Sequence, residues 1–375
     1  MIGEEEIAEV VDSLRSGWVT TGPKTKRFEE EFAQYVGAEH AIAVNSCTAG
    51  LHVSLAALGI GPGDEVIVPT MTFCATANVV VHLGAKPVIV DVEGPSLEIS
   101  TEAIRRAITP RTKAIMPVHY AGQAADLDEI LAIGAEHGIP VIEDGAHAAG
   151  TEYKGRKIGT HGKAVSFSFY ATKNLTTGEG GMITTNDAEY AARMRLLSLH
   201  GMSKDAWKRY TQAGSWYYEV VAAGYKVNMT DIDAALGLHQ LRRLDGFNRR
   251  RAEIGAMFDA ALGPLGVFTL PVRLPDRNHV LHLYPVQIRP GTLRIGRDQF
   301  IEELKDAKIG ASVHFIPLHR HPFYRDQHGY RTEDFPAAER CYEGLFSLPL
   351  YPKMTDDDAQ DVIAAVTEIV EKHRP

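Results

Sequence analysis

The chain has 375 residues, of which 45% are hydrophobic and 23% charged, a balance typical of a globular protein with one large and one smaller domain. Its net charge of −9, without any run of five like charges, argues against a nucleic-acid or polybasic membrane surface. Cys47, Cys74 and Cys341 are too few and too scattered for a disulfide framework, which fits a reducing cytoplasm. No apolar run approaches the length of a membrane span.

From residue 41 to about residue 185, short apolar segments rich in β-branched residues alternate with segments of helical length. This rhythm predicts an α/β fold with a mostly parallel sheet that is covered by helices on both faces. Turns containing Gly and Pro precede several of the predicted strands. The seven predicted strands are 41–44, 65–68, 87–90, 113–117, 140–142, 164–169 and 182–184.

The pattern changes beyond roughly Gly246, where an Arg-rich helical segment is followed by a Pro-rich stretch at 270–275. A strand-like segment at 281–288 and a helical segment after Thr355 complete the chain. We therefore predict a large domain over residues 1–245 and a smaller C-terminal α+β domain over residues 246–375.

A lysine follows the predicted strand 164–169 and precedes a glycine-rich turn at 178–181. A lone lysine after a strand is usually a solvated charge. A lysine that forms a Schiff base, however, needs a pocket in which desolvation keeps its amine nucleophilic, and glycines let the backbone approach a cofactor closely. Lys173 is thus a candidate catalytic lysine. The hydroxyl of Ser168, near the strand end, is a candidate hydrogen-bond donor to a phosphate.

A carboxylate stands at the end of the predicted strand 140–142 and is followed by a turn of small residues. Open α/β sheets bind ligands beyond the carboxyl ends of their strands, where Asp144 is expected to lie. A carboxylate there can keep the ring nitrogen of pyridoxal phosphate protonated. By itself the pattern also fits a metal, ribose or turn role.

The sequence Asn-Ser-Cys-Thr-Ala-Gly at 45–50 joins a predicted strand to a predicted helix. Free amides and the positive end of the helix dipole form an anion site, so Thr48 and Ala49 are candidate phosphate contacts. Helix capping would explain Ser46 or Thr48 equally well. Phe73 begins another predicted helix, and its ring is expected either to stack on a planar ligand or to pack in the core.

The order of these motifs along the chain resembles that of the sugar aminotransferases of the DegT/DnrJ/EryC1/StrS family. The resemblance covers nearly all 375 residues. The segments that carry it are 16–23, 46–49, 69–73, 117–123, 143–147, 166–174, 177–181 and 347–352.

The resemblance implies an aspartate-aminotransferase-like fold, which is pyridoxal-phosphate fold type I, and pyridoxal 5'-phosphate as the cofactor. It implies that Lys173 holds the cofactor as a Schiff base and that Asp144 contacts the ring nitrogen. The other cofactor contacts that it implies are Thr48, Ala49, Phe73, His147, Ser168 and Asn228. Asn228 is expected to reach the phosphate of the neighbouring subunit in a homodimer with shared sites. Thr21, Glu179, His314 and His319 are the substrate contacts that it implies.

The reaction implied is amino transfer, with glutamate as donor, to a nucleotide-linked 4-keto, 6-deoxy sugar, because residues 117–123 together with His147 resemble the 4-amino branch. Aminotransferases for 3-keto sugars or inososes, and a non-catalytic regulatory relative, remain alternatives. Sugar dehydratases of the family carry histidine where this chain has Lys173. The spacing of His314, His319 and His321 matches no common zinc pattern, so no metal is expected.

Overall fold

The computed structural model describes residues 1–203 and 218–375. The helices in this part of the chain are α1 Glu4–Ser16, α2 Pro23–Val36, α3 Cys47–Leu58, α4 Ala75–His82, α5 Thr101–Ala107, α6 Leu127–His137, α7 Ala188–Leu197, α8 Asp231–Leu262, α9 Arg297–Asp306, α10 Pro322–His328, α11 Pro336–Gly344 and α12 Asp356–Lys372. Within the same residues, none of the helices is both long and apolar enough to cross a membrane.

The strands are β1 His40–Val44, β2 Glu65–Pro69, β3 Lys86–Val90, β4 Thr112–Ile115, β5 Ile142–Asp144, β6 Glu152–Tyr153, β7 Arg156–Lys157, β8 Ala164–Ser168, β9 Gly181–Thr185, β10 Phe268–Thr269, β11 Arg277–Asn278, β12 Tyr284–Ile288 and β13 Leu345–Leu348. Seven of them match the predicted strands within one or two residues at each end.

These seven strands form one sheet. Four of them pair in the order β1-β9-β8-β5, and three pair in the order β3-β2-β4. Parallel bridges from Ile115 to Val141 and from Val118 to Asp144 join β4 to β5. The sheet order is therefore β1-β9-β8-β5-β4-β2-β3. Only β9 runs antiparallel to its neighbours, so the predicted mostly parallel seven-stranded sheet is confirmed.

Both faces of the sheet are buried, because the side chains of each strand alternate between two hydrophobic cores. In β1, Ile42 and Val44 belong to one core, whereas Ala41 and Ala43 belong to the other. Helix α3 packs against β8 and β9, and α2 packs against β1. This covering explains why the strands read as continuous apolar runs in the sequence.

A further core consists entirely of residues between Ile254 and Val370. It is built on the antiparallel sheet β10-β12-β13 and on α9 and α12. Helix α8 connects this core to the large sheet, with Leu244 in one core and Phe258 in the other. The predicted boundary at residues 245 and 246 lies inside this continuous helix. The division into two domains stays a prediction.

Candidate active site

A cavity of about 930 Å³ lies at the carboxyl ends of β5 and β8. Its wall contains Asp144 at the end of β5, Ser168 at the end of β8, and Lys173 in the turn that follows. The first residues of α3, Cys47 and Thr48, close another side. The topology thus brings together the groups that the sequence placed at separate strand ends.

Lys173 lies in the turn between β8 and β9, and its main-chain N–H donates to the carbonyl oxygen of Tyr170 at 2.9 Å. Burial lowers the pKa of the Lys173 amine to about 8, while Cys47 and Asp144 act in the opposite direction. About a tenth of such an amine is neutral at pH 7, far more than for a solvated lysine. Because the neutral amine is the nucleophilic form, burial makes the Lys173 side chain more reactive at this pH.

The Asp144 side chain is buried and firmly oriented. Its Oδ2 accepts a hydrogen bond from Thr76 Oγ1 at 2.8 Å, and its Oδ1 accepts one from the Ala146 main-chain N–H at 3.1 Å. Burial raises the pKa of Asp144, whereas these two hydrogen bonds, Lys173 and His119 lower it. Within residues 1–203 and 218–375, no cationic side chain forms a salt bridge with this carboxylate. It is therefore suited to a cationic ligand atom that reaches the cavity.

His147 follows β5 and lines the same cavity. Its Nδ1 lies 3.3 Å from the main-chain N–H of Ala121 and accepts from it, so the neutral ring carries its hydrogen on Nε2. Burial lowers the pKa of His147 well below its usual value, and Lys173 and His314 add to this effect. A neutral His147 thus offers one hydrogen-bond donor to an oxygen of a bound ligand.

His282 lies beside His147, with ring centroids 4.3 Å apart, and also lines the cavity. Its Nδ1 lies 3.0 Å from Asn174 Oδ1. The amide nitrogen of Asn174 donates to Asn248 Oδ1 at 2.7 Å and to the Val280 carbonyl at 3.2 Å, so Asn174 Oδ1 must be an acceptor. The hydrogen of the neutral His282 ring is therefore on Nδ1, and its Nε2 is an acceptor. His147 therefore offers a hydrogen-bond donor at its Nε2, whereas His282 offers an acceptor at its Nε2.

The start of α3 is capped by Ser46, whose Oγ accepts from the main-chain N–H of Ala49 at 3.1 Å. The capping alternative therefore holds for Ser46. The amide of Ala49 is occupied, and Ala49 lies outside the cavity wall. Thr48 and Ser168 remain in the wall. A Cβ on Gly181 would lie 2.6 Å from the Ser46 carbonyl carbon, so only glycine lets β9 pass this close to the start of α3.

The chain matches the DegT/DnrJ/EryC1/StrS aminotransferase family over residues 1–367. The protein belongs to this family. The spore coat polysaccharide biosynthesis protein SpsC of Bacillus subtilis is 54% identical over 371 residues, which cover 99% of this chain and 95% of SpsC. Both the family and the enzyme class that the motifs predicted are thus confirmed.

Solved structures of aminotransferases share the fold. Spr1654 from Streptococcus pneumoniae in its PLP-form is 36% identical, with a TM-score of 0.92 and coverage of 99% of this chain and 97% of that chain. Helicobacter pylori PseC, an aminotransferase involved in the biosynthesis of pseudoaminic acid, is 28% identical, with a TM-score of 0.92 and coverage of 99% and 98%. The predicted aminotransferase fold is confirmed.

Three more of the predicted site residues lie in the cavity wall of this aminotransferase: Phe73, Glu179 and His314. The Phe73 side chain is 58% exposed, which is unusual for so apolar a ring and leaves a face available for stacking. His314 Nδ1 lies 3.0 Å from Ser347 Oγ. Burial and Lys173 lower the pKa of His314, so this ring is neutral at pH 7.

Thr21 and Asn228 lie outside the cavity wall and contact each other, with Asn228 Nδ2 donating to Thr21 Oγ1 at 2.5 Å. His319 also lies outside it and is almost completely buried. Its Nδ1 is 2.7 Å from Thr70 Oγ1, and its Nε2 is 2.7 Å from Glu339 Oε1. Both ring nitrogens are therefore occupied, and the position of His319 does not support the expected substrate contact.

Thr76 and His282 line or support the site but were not predicted from the sequence. A weak signal exists for Thr76, because hydroxyl residues at 70, 72 and 76 follow β2, whose carboxyl end lies at the same edge of the sheet as that of β5. For His282 there is none. It stands in an apolar strand-like segment, and its contact with Asn174 joins residues that are 108 positions apart.

Proposed function

We propose that the protein transfers an amino group from glutamate to a nucleotide-linked 4-keto, 6-deoxy sugar, with pyridoxal 5'-phosphate as its cofactor. The observation that carries the proposal is the buried Asp144 carboxylate, which faces the same cavity as a Lys173 amine whose pKa is about 8. A ring with a basic nitrogen and an aldehyde fits this pair. Spr1654, which has the same fold, was solved in a PLP-form.

The donor set of the cavity fits the rest of that cofactor. Neutral His147 offers an Nε2 hydrogen to the phenolic oxygen, and the half-exposed Phe73 ring offers a stacking face. Thr48, at the start of α3, and Ser168 supply hydroxyl groups to a phosphate, where the helix dipole favours negative charge. When bound, pyridoxal phosphate supplies a protonated ring that accepts electron density from the substrate carbon whose C–H bond breaks.

The catalytic work of the chain itself falls to two side chains. Lys173 Nζ is the amine that would hold the cofactor and, as a free amine, move the proton of the reacting carbon. Asp144 keeps a hydrogen on the ring nitrogen, because its negative charge in a buried setting favours a cationic partner. Both groups are close enough to influence each other's pKa.

A sugar acceptor is supported by the relatives, because SpsC is named for polysaccharide biosynthesis and PseC for that of pseudoaminic acid. Glu179 and His314 in the cavity wall offer an acceptor and a neutral imidazole to sugar hydroxyls. Amination at carbon 4 rests on the resemblance of residues 117–123 and His147 to the 4-amino branch. Within that segment Val118 lines the cavity, whereas His119 is turned to Glu143 at 2.8 Å.

A homodimer with shared sites is part of the proposal. Asn228, the residue expected to contact the phosphate of the partner subunit, lies outside the cavity of its own chain and is only partly buried. Its bond to Thr21 holds it at this position. These placements agree with a residue that serves a neighbouring subunit. We also retain the proposed division into domains at 1–245 and 246–375.

The test is incubation with glutamate and a panel of nucleotide-linked keto sugars, followed by NMR of the products. We expect nitrogen at carbon 4 of a 6-deoxy sugar and formation of 2-oxoglutarate. Nitrogen at carbon 3, or turnover only with a free cyclitol ketone, would contradict the acceptor. A purified protein that shows no visible absorbance with pyridoxal phosphate would contradict the cofactor and favour a non-catalytic role.

A further inference from the structure

Two threonine hydroxyls form a chain that ends on Asp144. Thr72 Oγ1 lies 2.7 Å from Thr76 Oγ1, and Thr76 Oγ1 lies 2.8 Å from Asp144 Oδ2. Both threonines are buried, with exposed fractions of 2% and 0%. These hydrogen bonds connect the segment that follows β2 to the end of β5, across the position of β4 in the sheet.

The direction of each hydrogen bond follows from proton counting. An ionised carboxylate can only accept, so the Thr76 hydroxyl hydrogen points to Asp144 Oδ2. The oxygen of Thr76 is then the acceptor for the Thr72 hydroxyl. If Asp144 were protonated, its O–H could donate a hydrogen bond to Thr76 Oγ1. The Thr76 hydroxyl could then donate to the Phe73 carbonyl oxygen, 3.2 Å away. The orientation of the Thr76 hydroxyl therefore depends on the charge of Asp144.

We propose that Thr76 is a positioning residue that holds the Asp144 carboxylate ionised and in one orientation for the cofactor ring nitrogen. This inference rests on the proposed role of Asp144. A hydrogen bond from a neutral donor to a buried carboxylate stabilises the charged form, which burial disfavours. Thr72 donates to Thr76 Oγ1 and so stabilises the same arrangement indirectly.

The other groups that face Asp144 do not replace Thr76. Cys47 Sγ is 3.8 Å from Oδ1 and also lies 3.3 Å from the Ser166 carbonyl, and burial raises the pKa of its thiol. Lys173 and His119 act on Asp144 only through charge. The main-chain N–H of Ala146 donates to Oδ1. In the described part of the chain, Thr76 is therefore the one protein donor to Oδ2.

The experiment measures the affinity of the apo protein for pyridoxal phosphate, by quenching of tryptophan fluorescence, from about pH 5 to about pH 9. We expect the acid-side midpoint to rise by about one pH unit in Thr76→Val, because the charged form of Asp144 loses a hydrogen bond. Thr76→Ser keeps the hydroxyl and should retain the wild-type midpoint. Thr72→Val should shift it in the same direction by a smaller amount.

Thr184→Val is the matched control. Its hydroxyl is equally buried and donates to the Gly159 carbonyl at 2.7 Å, away from the cavity wall, so its midpoint should not move. An unshifted Thr76→Val midpoint, or equal shifts in Thr76→Ser and Thr76→Val, would overturn the role of Thr76. Asp144→Asn should abolish the acid-side dependence. If that variant kept the wild-type profile, the proposed role of Asp144 itself would fail.

Discussion

The rate at which the apo protein takes up pyridoxal phosphate should depend on pH with a midpoint near 8. Attachment needs the neutral amine of Lys173, and burial lowers its pKa from 10.5 to about 8. At pH 7 the neutral fraction is then about 10%, roughly 300-fold more than for a solvated lysine. Below the midpoint the rate should rise about tenfold per pH unit, and above it the rate should level off.

Asp144→Asn is the informative perturbation. The negative charge of Asp144 raises the pKa of Lys173, so its removal should move the midpoint to lower pH and speed uptake at pH 7. Asp298→Asn is a suitable control, because that carboxylate is exposed in the C-terminal part of the chain. Its midpoint should equal that of the wild type.

The assay is stopped-flow absorbance after mixing apo protein with pyridoxal phosphate, followed by borohydride reduction and peptide mapping to place the label on Lys173. A wild-type midpoint near 10.5 would show that burial does not tune this amine. A midpoint that rises or stays fixed in Asp144→Asn would refute the proposed interaction between the two side chains.

Two further changes test other parts of the proposal, and a third tests a buried carboxyl outside the cavity wall. Lys173→Ala should abolish transamination and borohydride labelling, whereas Lys163→Ala should retain both, because Lys163 is paired with Asp187 outside the cavity; a label on another lysine would refute the assignment. Asn228→Ala should weaken binding of pyridoxal phosphate about tenfold, as measured by fluorescence titration; unchanged affinity would contradict a shared phosphate site. Within residues 1–203 and 218–375, neither carboxyl oxygen of the buried Glu98 side chain has a hydrogen-bond partner, and burial raises the pKa of this group. A raised pKa gives stability that is present at low pH and lost as pH rises, so Glu98→Gln should be more stable than wild type by about 1 kcal/mol or more at about pH 8 and equal to it near pH 4 in denaturant titrations.

The large sheet could be predicted from sequence because strands that are buried on both faces read as short apolar runs. The predicted start of β5 is two residues too early, and the difference has a local cause. Pro140 has no N–H to donate to the strand ladder, so the regular strand begins at Ile142 rather than at the predicted position. Strands β6, β7, β10 and β11 have two residues each and are too short to show any periodicity.

The position of a site residue was predictable where it follows from the end of a strand. Lys173 and Asp144, which were predicted in this way, both lie in the cavity wall. Thr76 was not predicted, because its bond to Asp144 joins residues 68 positions apart. His319 shows the converse, because the sequence favours a substrate contact and the structure places this residue outside the cavity wall. The histidine-rich segment shows only which histidines are neighbours in sequence. The His319 ring is held by Thr70 and Glu339, which are 249 and 20 positions away, so its direction could not be predicted from the segment itself.

Desolvation is the common cause of the two pKa shifts at the centre of the cavity. Burial disfavours any charge, so it lowers the pKa of the Lys173 amine and raises that of the Asp144 carboxyl. Each group also favours the charged form of the other, which opposes the effect of burial on both pKa values. A ligand that brings a cationic ring nitrogen to Asp144 and an aldehyde to Lys173 satisfies both groups at once. The affinity for such a cofactor and the reactivity of the amine therefore arise from the same property of the cavity, and the hydrogen bond from Thr76 adjusts the balance between them.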